Sequence, residues 1–158
     1  GPVYLRFGRL AAPIFNDPET YQFEIGKGIT LREGKDVTLV ATGLMVSEAL
    51  DAAEQLAAEG ISARVLNIHT IKPLDVDLIA KAAAETGLLI TVEEHSIIGG
   101  LGAAVAEAVC DTCPVPVVRI GVNDEYGHSG PAVDLLKEFG LCAEHIVEVT
   151  KASMAKKA

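Results

Sequence analysis

The chain has 158 residues, 49% of them apolar but only 4% aromatic, with no tryptophan, and a net charge of −9. That length suits one domain around a single aliphatic core of Ala, Val, Leu and Ile. The charge argues against nonspecific nucleic-acid binding or an anionic membrane surface, and no apolar run approaches the roughly 20 residues of a membrane span.

The chain opens with Gly1-Pro2 and the strand-like Val3-Tyr4-Leu5 rather than with Met or a secretory signal. We read it as a piece of a longer protein. Three cysteines, Cys110, Cys113 and Cys142, make an odd set for a disulfide framework and fit reduced thiols in a cytoplasmic protein. Cys110 and Cys113 form a C-x-x-C, but at the closing end of a helix, where the dipole does not favour a thiolate. With no second ligand pair at zinc spacing, they read as small apolar residues near a helix end.

In chain order, residues 1–35 read as an arm. Val3 to Arg6 has the pattern of a strand end, and Pro13, Asn16, Asp17 and Pro18 interrupt regular structure beyond it. The compact domain is expected from Asp36 onward. Val37 to Ala41 is a buried strand. A helix comes next with Val46, Ala49, Leu50, Ala53, Leu56 and Ala57 at helical spacing, and Gly60 is its stop. Ala63 to Ile68 is the second strand, completing a βαβ unit. His69, Thr70 and Lys72-Pro73 form a loop, then Asp75 and Asp77 open a helix through Leu78, Ile79, Ala82 and Ala83 that ends at Gly87.

The stretch from Leu88 to Val109 organises the remainder. Leu88 to Val92 reads as a strand buried on both faces. Glu93-Glu94-His95 reads as the start of a polar loop, Gly99, Gly100 and Gly102 as a bend, and Leu101 to Val109 as a helix. Val117 to Ile120 is a fourth strand, succeeded by a polar loop through His128 and Gly130. Short helices run over Ala132 to Phe139 and from Ala143 into a tail, Lys151 to Ala158, expected to fray. The alternation defines an α/β fold with ligand loops at the carboxyl ends of parallel strands.

Candidate chemistry is sparse. Gly100-Leu101-Gly102 invites comparison with a dinucleotide fingerprint, but Val105 stands where the last glycine belongs and the preceding turn is too long. Small residues there equally serve close helix–sheet packing. His69, His95 and His128 end different strands, so with nearby carboxylates they could share one rim for a metal or for acid–base work. Capping or a partner surface is the plainer use of such groups. No nucleophile elbow, P-loop or H-E-x-x-H is present. Arg6 and Arg9 suit bidentate contact with a phosphate, or pairing with local carboxylates.

Five ordered stretches then carry a likeness: GPVYLRFGR, DVTLVATG, ARVLNIHTIKPLD, TVEEHSIIGGLGAAV, and the tail from Gly121 through His128-Ser129-Gly130 to Leu141. Together they resemble the C-terminal section of transketolase over nearly the whole chain, most closely the C-terminal subunit of split transketolases. The C-terminal domains of deoxyxylulose-phosphate synthase and of 2-oxo-acid dehydrogenase β subunits are related alternatives. A stand-alone module binding a phosphorylated metabolite at Gly99 to Gly102 and Asp124 to Gly130 is another.

The resemblance implies a three-layer αβα domain with a mostly parallel five-stranded sheet and one antiparallel edge strand. The fifth strand would come from Gln22 to Ile25 or Ile29 to Leu31. It makes residues 1–35 a remnant of the preceding pyrimidine-binding domain plus a linker, and 36–158 the C-terminal domain. It implies a parent that moves a two-carbon ketol group between sugar phosphates, using thiamine diphosphate and Mg held by other domains, with a Gly-Asp-Gly motif this sequence lacks. The expected partners are the N-terminal subunit or domain, the middle domain and a second copy in a homodimer. Arg9 matches the family arginine that contacts substrate phosphate. No catalytic, cofactor-binding or metal residue carries over, and His95, Gly99, Gly100, Gly102 and His128 are left as rim or interface positions. The chain alone is expected to be inactive.

Overall fold

The computed structural model describes residues 1–5, 8 and 10–157. The chain forms β1 (Ile29–Arg32), β2 (Val37–Ala41), α1 (Met45–Ala58), β3 (Ala63–Asn67), α2 (Val76–Thr86), β4 (Leu89–Ser96), α3 (Leu101–Thr112), β5 (Val117–Val122), α4 (Ala132–Glu138) and α5 (Ala143–Lys157). The strands build one sheet in the order β1-β3-β2-β4-β5. β3, β2, β4 and β5 are parallel, and β1 lies antiparallel on the β3 edge. The five-stranded sheet with one antiparallel edge is thus as expected, and the arm's second candidate segment supplies the edge.

Strand alternation sorts the core into two layers. Val37, Leu39 and Ala41 of β2, with Val65 and Ile90, face α1 and α5, where Met45, Ala49, Leu56 and Ile146 complete one cluster. Val40, Leu66 and Leu89 face α2 and α3, meeting Ile79, Ala82, Leu101 and Val105. Thr38 is one of several buried polar residues. Its hydroxyl meets Thr86 Oγ1 at 2.9 Å, and Thr86 donates to the Ala82 carbonyl. Gly87 closes α2, as read from sequence, and does so in the left-handed conformation.

The connections fix where a site can form. From β2 the chain turns through α1 to β3, then returns through α2 to β4 on the far side of β2. The loops leaving β2 and β4 therefore diverge to opposite faces, and the crevice between them is the topological switch point.

Five sequence expectations change, the last in the C-terminal tail. β4 runs to Ser96 rather than ending at Val92, so Glu93, Glu94 and His95 belong to the strand. Its pairing with β5 slips in register and resumes at Ser96 opposite Val122. Gly121 permits the slip, since a Cβ there would lie 2.7 Å from the His95 carbonyl oxygen. β5 correspondingly extends to Val122. Ala57 is exposed on α1 while Ala52 is buried; alanine suits either helix face. Val3, Tyr4 and Leu5 lie in no strand and are 78%, 87% and 70% exposed, because extended backbone without a pairing partner gains no ladder bonds. Arg6, the end of that reading, lies outside the described residues.

The tail is also more ordered than its polarity suggests. α5 continues to Lys157, with Thr150 buried, Met154 packed against the core and Lys151 paired with Glu59 of the α1 end. At its start, the backbone N–H of Glu144, the Cys142 side chain and nearby Lys137 hold the Glu144 carboxyl below the usual range. Because α5 completes the core, Ile146→Ala should lower the unfolding free energy by about 2–5 kcal/mol in urea titration. A change within error would detach α5 from the core.

Candidate functional site

At the switch point, Thr42, Gly43 and Leu44 leave β2 while Glu93, Glu94, His95, Gly99 and Gly100 come from β4 and the turn after it. With Ile71 they line a cleft of about 290 Å³. A second groove of about 480 Å³ between the 71–76 loop and α3 shares Ile71, Gly99 and Gly100 with it. Three of the sequence-identified rim residues, His95, Gly99 and Gly100, thus converge.

Glu93 is the residue whose use the sequence did not disclose. Its side chain points beneath α3 and is 1% exposed as a residue. Oε2 accepts from the Leu101 N–H at 2.7 Å and Oε1 from the Gly102 N–H at 2.8 Å. A helix start leaves N–H groups unpaired and attracts negative charge. Here the protein's own carboxylate fills that position, eight and nine residues before its partners. Gly100 is needed for the approach: any Cβ there would collide with the Glu93 carboxylate. Gly102 contributes its N–H and faces Thr91 and Arg119 across the packed helix–sheet contact.

His95 is solvent-accessible. Its Nδ1–H donates to the Ser96 carbonyl at 2.8 Å, and Nδ1 stands 3.9 Å from Glu93 Oε2. The three histidines do not assemble. His69 Nδ1 meets Thr70 Oγ1 at 2.9 Å, and its ring lies against Phe23. His128 is 2.6 Å from Glu138 and packs against Phe139, tying the loop after β5 to α4 rather than to the cleft. Among the described residues, no three His, Cys, Asp or Glu side chains cluster as metal ligands. The three cysteines are free, Cys110 being exposed. Arg9 lies outside the described residues, so its expected phosphate contact is carried by the sequence alone.

This arrangement does not suit an anion. The α3 N-terminus, the natural cradle for a phosphate, is already neutralised, and Glu94 adds a second negative group at the rim. That counts against the stand-alone phosphometabolite module. What remains is a doubly wound α/β domain whose helix N-terminus at the switch-point cleft is capped from within.

A model of the transketolase C-terminal domain family matches residues 26–146. The chain belongs to that family. A 6-deoxy-6-sulfo-D-fructose transketolase subunit from Clostridium sp. is 50% identical over 147 residues, covering 93% of this chain and 45% of that protein. A putative transketolase C-terminal section from Methanocaldococcus jannaschii is 46% identical over 158 residues, 99% of this chain and 49% of that protein. A 1-deoxy-D-xylulose-5-phosphate synthase from Heliobacterium modesticaldum matches at 42% over 153 residues, covering 96% of this chain and 24% of the synthase. A solved split-gene transketolase, described as an inactive β4 tetramer, superimposes with a TM-score of 0.89 at 46% identity, over 93% of this chain and 48% of that one. The chain spans about half the length of the first two relatives.

If Glu93 is the internal cap of α3, Glu93→Ala strands two buried N–H groups and should cost about 2–5 kcal/mol of stability. Glu93→Gln, which keeps one acceptor, should cost clearly less. Equal losses in urea titrations of the two variants would contradict the capping role.

Proposed function

We propose that this chain is the supporting C-terminal lobe of a transketolase-type transferase, one that moves a two-carbon ketol unit between sugar phosphates. The observation that carries the reading is the internally capped cleft, in a chain whose family is that of the transketolase C-terminal domain. A domain of this topology normally offers its switch point to a ligand. Here the polar backbone at that point is spent on the domain's own carboxylate.

The residues present do not fit thiamine diphosphate. A diphosphate needs uncommitted N–H donors and a carboxylate-bound cation; the α3 donors are committed to Glu93, and no ligand cluster stands among the described residues. In this reading, thiamine diphosphate and Mg are held by complementary polypeptide: an N-terminal subunit or domain and a middle domain. The arm before β1 joins the lobe to that middle, pyrimidine-binding domain. The names of the relatives support a partner of this kind, two being called a subunit and a section, and the solved relative is an inactive assembly of β chains. The functional unit is read as a dimer of such pairs in the cytoplasm, a compartment compatible with three unpaired cysteines.

Two measurements test this. Calorimetry of the chain with thiamine diphosphate and Mg²⁺ should show no binding, and micromolar affinity would overturn the assignment of the cofactor elsewhere. Mixed with its complementary subunit, the chain should restore transfer from a ketose phosphate donor; turnover with pyruvate instead would assign the synthase branch of the relatives. In that assembly Arg9→Ala should raise the Michaelis constant for phosphorylated sugars about 10- to 100-fold, the loss of a charged hydrogen bond worth about 1.5–3 kcal/mol. Unchanged kinetics would remove Arg9 from the substrate site.

A further inference from the structure

The arm enters the domain through a narrow slot. Gly26 passes against Pro73, where an added Cβ would lie 2.9 Å from the ring. Gly28 passes against Ile68 and Leu78, and a Cβ there would stand 2.7 Å from Leu78 Cδ2. Between them, Lys27 holds its ammonium 3.8 Å from Asp75, whose carboxylate is nearly buried. Asp75 serves two elements at once. Oδ1 accepts from the Leu78 N–H at 3.3 Å, capping α2, and Oδ2 accepts from the Gly28 N–H at 3.0 Å, across 47 residues of chain.

β1 begins at the next residue, Ile29, opposite Asn67 of β3. It is the outermost strand of the sheet, has four residues, none of them fully buried, and is broken by a bulge between Thr30 and Arg32. Its own packing is therefore weak, and short edge strands open at low free energy. Its far end is firmer: the Lys35 and Asp36 N–H groups both donate to the Ser62 carbonyl at 3.0 Å, and Ser62 N–H donates back to Asp36 Oδ2 at 2.7 Å.

We propose that residues 26–32 form a detachable strap with Asp75 as its latch. Releasing the Gly28 N–H lets β1 peel from β3 as a unit, hinged where Asp36 holds Ser62, while α2 and the parallel strands stay folded. Opening would bare the β3 edge and free the segment before residue 26 from its fixed entry path. The latch is independent of the role proposed for Arg9.

Hydrogen exchange monitored by mass spectrometry on the full chain tests it. Asp75→Ser keeps an oxygen that can cap α2 but is too short to reach Gly28. Amides of residues 26–32 should exchange roughly 10- to 100-fold faster in this variant, the effect of losing the charge-assisted Gly28 hydrogen bond together with the Lys27 ion pair, while those of residues 76–86 change little. Unchanged strap exchange, or a rise shared equally by α2, would overturn the latch. Should the variant fail to fold, the wild-type chain in graded urea decides. Strap amides should exchange through a local opening with a weaker urea dependence than the core; exchange only on global unfolding would overturn the proposal.

Discussion

A carboxylate with almost no access to water sits under the first turn of α3, and much of the domain's rim is arranged around it. To bring Glu93 there, β4 must continue beyond its last apolar residue, and its ladder with β5 must slip to let it pass. To accept the carboxylate, the chain after β4 must approach without a Cβ at Gly100. Desolvating the carboxylate is offset by two short hydrogen bonds from Leu101 and Gly102 and by the field of twelve helical residues. The same geometry removes the feature that makes other doubly wound sheets bind phosphates. One interaction thus secures the helix on the sheet and closes the crevice to anions.

In the function proposed above, this is why the lobe offers no free backbone donors from Leu101 or Gly102 at its switch point. The sheet, the two helical layers and the cleft are complete, yet the carboxylate of Glu93 is directed inward while Glu94 and His95 stay at the exposed rim. Glu93 serves the backbone, His95 bonds the adjacent carbonyl, and His128 fastens its loop to α4. In the function proposed, such a domain contributes surface and rigidity, and the group-transfer chemistry falls to polypeptide that complements it.

The sequence made the parallel core readable because Val37 to Ala41, Ala63 to Asn67 and Leu89 to Val92 are buried on both faces, and such strands are written as mostly aliphatic runs, here interrupted by Thr38, Arg64, Asn67 and Thr91. The edge strand was ambiguous: Gln22 to Ile25 and Ile29 to Leu31 alternate alike, and only pairing with β3 separates them. Glu93 was misjudged because acidic residues after an apolar run ordinarily mark solvent. Its burial depends on a helix start eight residues later in the chain. Thr42, Gly43 and Leu44 were missed at the cleft because strand order, not chain order, sets β2 beside β4. In α5 the final residues look solvated, and the pairing of Lys151 with Glu59 depends on a helix far upstream.

The absence of tryptophan leaves three tyrosines as the chief ultraviolet fluorophores, and none belongs to either aliphatic cluster. Tyr4 and Tyr126 are almost wholly solvated, one on the entering arm and one on the loop beyond β5, while Tyr21 is half-buried beside the arm's turn. The interior of this molecule is therefore optically silent, and its intrinsic emission belongs to the periphery. Light emitted by the unlabelled protein would report encounters at its margins far more directly than the state of its centre.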